Sequence, residues 1–179
     1  MRDLSWPETE QFETLAYGRF DLSSDGRIAF ATERDSWAVA VGNLQGEGEI
    51  WRRPLPGTPR TSAEREAIRE EMNASDLGQV SKHHPVIGRV RWRPSGHLWV
   101  EPWGVDPPPG HIASFDEFAK DGQLLRRVHI AAAFQPEHGH LQIINDGHLV
   151  WFEGFGYGDT TFEGQPKVYL LEVSEANAR

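Results

Sequence analysis

The chain has 179 residues, of which 38% are hydrophobic, 25% charged and 11% aromatic, a balance that excludes disorder or a fibrous repeat and fits one folded domain. No stretch approaches the roughly 20 apolar residues of a membrane helix, the N-terminus shows neither the basic start nor the apolar core of a signal peptide, and zero cysteines exclude disulfides, thiolate catalysis and cysteine-ligated zinc. Eighteen basic residues against 27 acidic ones give a net charge of −9, which opposes a general phosphate-binding role.

From residue 19 onward the chain reads as short strands separated by polar-Gly turns. The first group runs through Asp25-Gly26 to Arg27–Phe30, then Ser36–Val41, a turn at Gly46 and Gly48, and Glu49–Leu55. Thr61-Ser-Ala-Glu64 has the form of a capping box, and good helix formers follow it, so a short helix is expected near 61–73. Its apolar positions Ala63, Ala67, Ile68 and Met72 make a narrow stripe suited to the outside of a sheet. Residues 74–85 then read as a returning loop.

The second group opens with Val86-Ile87 and with Arg89–Arg93, where Val90 and Trp92 face one way and Arg89, Arg91 and Arg93 the other. That alternation predicts a strand buried on one face only. A turn at Ser95-Gly96, the strand His97–Val100, a stiff Pro107–Pro109 connection, His111–Asp116, a turn at Asp121-Gly122 and Gln123–Ile130 follow. The third group contains Leu141–Ile144, a turn at Asp146-Gly147, His148–Trp151 and Lys167–Val173. The leading turn glycines stand at 26, 96 and 147, and Arg-Arg recurs at 52–53 and 126–127. The runs of Val, Ile, Leu, Trp and Phe favour strands, and Asp-Gly or Ser-Gly supplies the positive φ of tight connections. One domain over 1–179 is expected, with units at about 19–56, 86–130 and 141–173 and a helical insertion at 57–80.

The succession Asp25-Gly-Arg-Ile-Ala-Phe30, the helix at Thr61, Gly96-His-Leu-Trp-Val100, and Phe115-Asp116 leading to Asp121–Val128 resembles the C-terminal half of bacterial six-bladed β-propellers of the NHL-repeat and TolB-like kind. The resemblance implies an all-β fold of about three four-stranded antiparallel blades carrying one short helix, and a periplasmic or secreted location. A β-sandwich or barrel is the alternative, since turn signals at such spacing fit it too. Blades form closed rings, commonly of four to eight, so three units imply self-association as a dimer closing a six-blade ring, or the remainder of a longer chain.

Activity is fainter in the sequence. Eight histidines include His138-Gly-His140, two imidazoles on one face of a strand, and with Asp146, Glu137 or His148 they are the candidate divalent-metal ligands. The competing reading is a polar turn between units. His83-His84 reads as a polar loop, and His97 and His148 follow equivalent turn glycines, which favours a repeat-level structural role. No Gly-x-Ser-x-Gly, phosphate loop or dinucleotide fingerprint occurs. Arg89, Arg91 and Arg93 near Trp92, Trp99 and Trp103 have the ingredients of a nucleic-acid face, but the acidic total opposes it and pairing with Glu101 is the simpler account. Six-bladed lactonases bind a cation through Glu, Asn and Asp, which makes Asn145 and Asp146 possible counterparts by resemblance. The sequence therefore points to a non-enzymatic binding or scaffolding module, with no catalytic residue and no cofactor assigned, that takes a protein or small ligand rather than nucleic acid. A metal-dependent propeller hydrolase or lactonase is the competing reading.

Overall fold

The computed structural model describes residues 19–71, 80–132, 139–145, 148–153 and 167–172. They form eleven strands and one helix: β1 (Phe20–Leu22), β2 (Arg27–Ala31), β3 (Ser36–Asn43), β4 (Gly48–Pro56), α1 (Ser62–Glu71), β5 (Ile87–Trp92), β6 (Leu98–Pro102), β7 (His111–Phe118), β8 (Leu124–Ala131), β9 (Gly139–Asn145), β10 (His148–Glu153) and β11 (Lys167–Glu172). Three antiparallel sheets result, in the orders β1-β2-β3-β4, β5-β6-β7-β8 and β9-β10-β11. Each is a meander in which sequence neighbours pair. Among the described residues the sheets do not close into a ring or barrel, and the third has three strands where four are expected from the sequence. The strand β1 is too short, at three residues, to show a periodicity in the sequence.

The repeat is real at the level of backbone geometry. Gly26 and Gly96 both sit at φ +84°. In each turn the glycine N–H donates to the carbonyl three residues back (Ser23 at 3.0 Å, Arg93 at 2.8 Å), and that residue's N–H donates to the carbonyl just after the glycine (Arg27 and His97, both at 2.8 Å). Gly46 and Gly122 repeat the pattern at φ +85° and +81°. These are three-residue hairpin loops that need a left-handed residue before the strand resumes. Gly147 lies outside the described residues.

The Arg-Arg doublets, by contrast, are not equivalent. Arg53 pairs across the ladder with Trp37, whereas Arg127 pairs with Asp116. Counted from the turns, Trp37 corresponds to Ala113, whose partner is Ile130. The doublets recur in sequence but not in register.

Two apolar cores hold the sheets together. Ala29, Trp37, Val39 and Trp51 of the first sheet meet Val90, Trp92, Leu98 and Phe118 of the second. On the opposite face of the second sheet Trp99, Ala113, Phe115 and Ile130 meet Leu141, Leu149 and Trp151 of the third. The strand alternation decides this. Leu98 and Val100 point to the first sheet while Trp99 between them points to the third. Burial of several tryptophans contributes on the order of 2–3 kcal/mol for each such side chain.

Two sequence expectations are corrected. Strand β5 is not buried on one face only, because Arg93, just beyond it, is 6% exposed. Its guanidinium lies 4.3 Å over the Trp99 ring, so an aromatic face replaces water around a planar cation. The described helix, Ser62–Glu71, lies within the expected span, but the described part of its stripe does not seat on a sheet. Ala63 and Ala67 are exposed and Ile68 half-buried, while Met72 lies outside the described residues. The helix is held instead by polar contacts, with Arg65 donating to the Val80 carbonyl at 3.1 Å.

Candidate functional site

Most of the metal ligands proposed from sequence fall where side chains are not described. His138, Glu137 and Asp146 lie outside the described residues, and of His140 only the backbone, in β9, is described. Among the described residues no three His, Asp or Glu side chains converge on a point that suits a cation. The aromatic Gly154–Gly158 segment also lies outside them.

Several described histidines are engaged in sheet structure. His97 Nδ1 lies 3.0 Å from Glu117 Oε1, and His148 Nδ1 lies 3.0 Å from Asn145 Oδ1. Ser114 and His129 face each other across β7 and β8, with Oγ 2.8 Å from Nδ1. That contact is a cross-strand bond under a buried serine, without the exposed turn that a nucleophile needs. The His111 ring stands edge-on to that of His129 at 5.5 Å.

In the first two sheets the β1–β2 and β3–β4 turns, and likewise the β5–β6 and β7–β8 turns, share one end of their sheet, so Gly26, Gly46, Gly96 and Gly122 all belong to that turn end. Near them two buried carboxylates each hold two side-chain partners. Asp116 accepts from Arg53 at 2.9 Å and from Arg127 at 2.8 Å. Glu117, on the other face of β7, accepts from Arg126 at 2.7 Å and meets His97. Burial pushes the Glu117 carboxyl up, but the hydrogen bonds from Arg126 and His97 outweigh it and hold it below the usual carboxylate range. A carboxylate so held is a poor proton carrier at neutral pH. Asp25 is exposed, and the bond from Arg27 with that from Ser23 lowers it to about 2. Arg27 in turn lies 4.4 Å over the Trp92 ring and donates to the Gly96 carbonyl at 3.3 Å, tying the first turn to the second.

The opposite end carries the β2–β3 turn and the longer β6–β7 connection. The loop between β6 and β7 presents Trp103 and Val105, which are 41% and 49% exposed. It is anchored on both sides. Trp103 N–H donates to the Val86 carbonyl at 3.0 Å, and at the far end of the loop Ala132 N–H donates to the Gly110 carbonyl at 3.2 Å. A side chain at Gly88 would meet the Trp103 ring and Glu101 at 3.6 Å, so the indole lies over bare backbone. Arg89 and Glu101 pair beneath it at 2.6 Å. Burial raises the Glu101 carboxyl despite Arg89 and Arg91, and burial lowers the Arg91 guanidinium. Beside this loop His84 Nε2 lies 3.4 Å from Glu64 Oε1 on α1.

The arginine stripe is thus taken up by the sheet: Arg89 on Glu101, Arg91 half-buried, and Arg93 on Trp99. The Arg89–Glu101 match expected from the sequence is present, in ladder register. Trp103 is the residue whose role sequence reasoning missed. The sequence sets it beside Trp92 and Trp99 near the arginine stripe, although Gly104 and the proline run mark it as a loop residue. The Ser114–His129 contact has no local signal, because it joins residues 15 apart through the register alone.

Comparison with known proteins finds no matching family model, no matching curated protein and no matching solved structure. No helix among the described residues is long and apolar enough to cross a membrane.

Proposed function

We propose that this chain is a non-enzymatic binding or scaffolding module built from propeller-type blades, with the long-loop end of the second sheet as its recognition surface. The blade reading draws its support from consecutive meanders with matching turn geometry and a repeated sheet-on-sheet packing. The binding reading rests on one observation above the others: Trp103 and Val105 stand exposed on a loop that is pinned at both ends. A fixed indole offers a large contact area at low entropic cost, which is why tryptophan is enriched at the centres of interfaces. The described carboxylates with the strongest contacts are already neutralised by arginines, which supports a structural duty for them rather than acid–base chemistry.

The test is affinity capture with the wild-type chain beside Trp103→Ala and, as a control at the other end, Asp25→Asn. A partner recovered by the wild type and the control but lost with Trp103→Ala supports the reading. Hydrolysis of an ester or lactone by the purified chain, dependent on added calcium or zinc, would replace it with the metal-dependent alternative.

A further inference from the structure

The packing of the sheets has a direction. Each sheet has a leading face that packs on the next sheet and a trailing face that packs on the one before. Positions can be matched from the turn glycines and the ladder registers. On the trailing side, Phe20, Val90 and Leu141 are equivalent, paired with Phe30, Val100 and Trp151. Leu22, Trp92 and Ile143 are equivalent in the same way. On the leading side, Val39, Phe115 and Val168 correspond, and Val41, Glu117 and Leu170 follow two residues on.

Equivalent positions differ sharply in exposure at the two ends of the stack. Val90 and Leu141 are 0% and 3% exposed, but Phe20 is 56% exposed. Val39 and Phe115 are 0% and 1% exposed, but Val168 is 58% exposed. Leu22 at 56% and Leu170 at 65% repeat the contrast. Among the described residues the first sheet therefore bares a trailing face, and the third sheet a leading face. Each is apolar at positions that elsewhere in the chain are mostly apolar and buried between sheets, Glu117 being the charged exception. Because the second sheet lies between them, packed on both sides, the two open faces point away from each other and cannot meet within one copy.

We infer that the occupant of these faces is a second copy of this chain, with the leading face of its third sheet on the trailing face of the first sheet, and the reverse at the other junction. The argument for this occupant is continuity with the two internal interfaces. The open leading face carries Val168 and Leu170 where the first sheet sets Val39 and Val41 against a trailing face and the second sets Phe115 beside Glu117, and the open trailing face is its counterpart. A second copy supplies both, and two such junctions related by a twofold axis close the assembly. The inference stands on registers and exposure and does not depend on the recognition role of Trp103, so either can fail alone.

Light scattering and sedimentation of the full chain, with two double variants, test it. Val168→Lys with Leu170→Lys blocks the leading face, and Phe20→Lys with Leu22→Lys blocks the trailing face. The wild type is expected at the mass of two chains and each variant at the mass of one, with circular dichroism unchanged because the altered side chains are exposed. An equimolar mixture of the two variants is expected to return pairs, since one junction in the mixed pair is intact. Should a lysine pair unfold its sheet, serine at the same two positions takes its place. A wild type with the mass of one chain, an open-ended series of masses, variants that stay paired, or a mixture that stays single would each overturn the inference.

Discussion

Arg53 of the first sheet reaches across the sheet boundary to place Nη1 2.9 Å from Asp116 Oδ2 of the second. The same carboxylate holds Arg127 of its own sheet at 2.8 Å, so one buried acid sets the lateral position of two sheets. Asp116→Ala leaves Arg53 facing the Trp37 and Phe118 rings without its counter-ion. The expected loss is about 1–3 kcal/mol, below the full cost of breaking a buried pair because both arginines keep access to water. Arg127→Ala removes only a half-exposed partner and should cost about 1 kcal/mol or less. Urea unfolding at neutral pH, comparing the midpoints of the two variants, checks the order.

Acid should separate two carboxylates whose surroundings act in opposite directions. The Glu117 carboxyl is held below its usual range. Its contribution is therefore fully present above the unfolded value of about 4.3 and lost as pH falls through the folded value. Glu101 is raised by burial. Its contribution is present below about 4.3 and lost as pH rises through the folded value. Stability measured from pH 3 to pH 7 should thus show a weaker acid loss in Glu117→Gln than in wild type. In Glu101→Gln the gain over wild type should grow with rising pH. Parallel curves for all three proteins would contradict this assignment.

Two glycines with the same backbone conformation should respond differently to alanine. Gly46 has φ +85° and open space where a Cβ would stand, so Gly46→Ala meets only the left-handed penalty of about 1 kcal/mol. Gly122 has φ +81°, and its Cβ would come within 2.8 Å of the Trp51 ring. That ring is buried and packed against Phe118. Gly122→Ala should therefore cost roughly 1–2 kcal/mol more than Gly46→Ala, read as the difference in thermal or urea midpoints.

The capping box at the helix start is complete: Glu64 Oε2 accepts from Thr61 N–H at 2.7 Å, and Glu64 N–H donates to Thr61 Oγ1 at 3.2 Å. Thr61→Ala should cost the helix about 1 kcal/mol. Because α1 is held by side-chain contacts rather than by a core, the expected sign is faster amide exchange over 62–71 with little change in the global unfolding midpoint.

What could be read from the sequence was local. The Gly26 and Gly96 turns announce themselves because positive φ restricts the residue type, and Val90 and Trp92 reveal a face because side chains alternate along a strand. Strand boundaries followed from those two signals. What escaped depends on partners far along the chain. Arg53 meets Asp116 across 63 positions, and nothing near either residue foretells it. Arg93 reads as solvent-facing by alternation, yet it is covered because Trp99, on the neighbouring strand, offers a ring at the right height. The Arg-Arg recurrence misleads for a related reason: letters can repeat while the ladder register shifts. Trp103 shows the limit from the other side, since Gly104 and the proline run mark a loop but not whether its indole is buried or exposed.

Covering the second sheet on both faces also bears on how the chain opens. Its central strands carry Trp99, Phe115, Phe118 and Leu98 at 2% exposure or less, while each flanking sheet has one dry side within a single copy. Amide protons of β6 and β7 should then exchange with solvent most slowly, and those of β1 and β11 fastest, because fraying can begin at either end of the stack without breaching its middle. Unfolding of a single copy would then proceed inward from its two outer sheets, with the second as the last structure to dissolve.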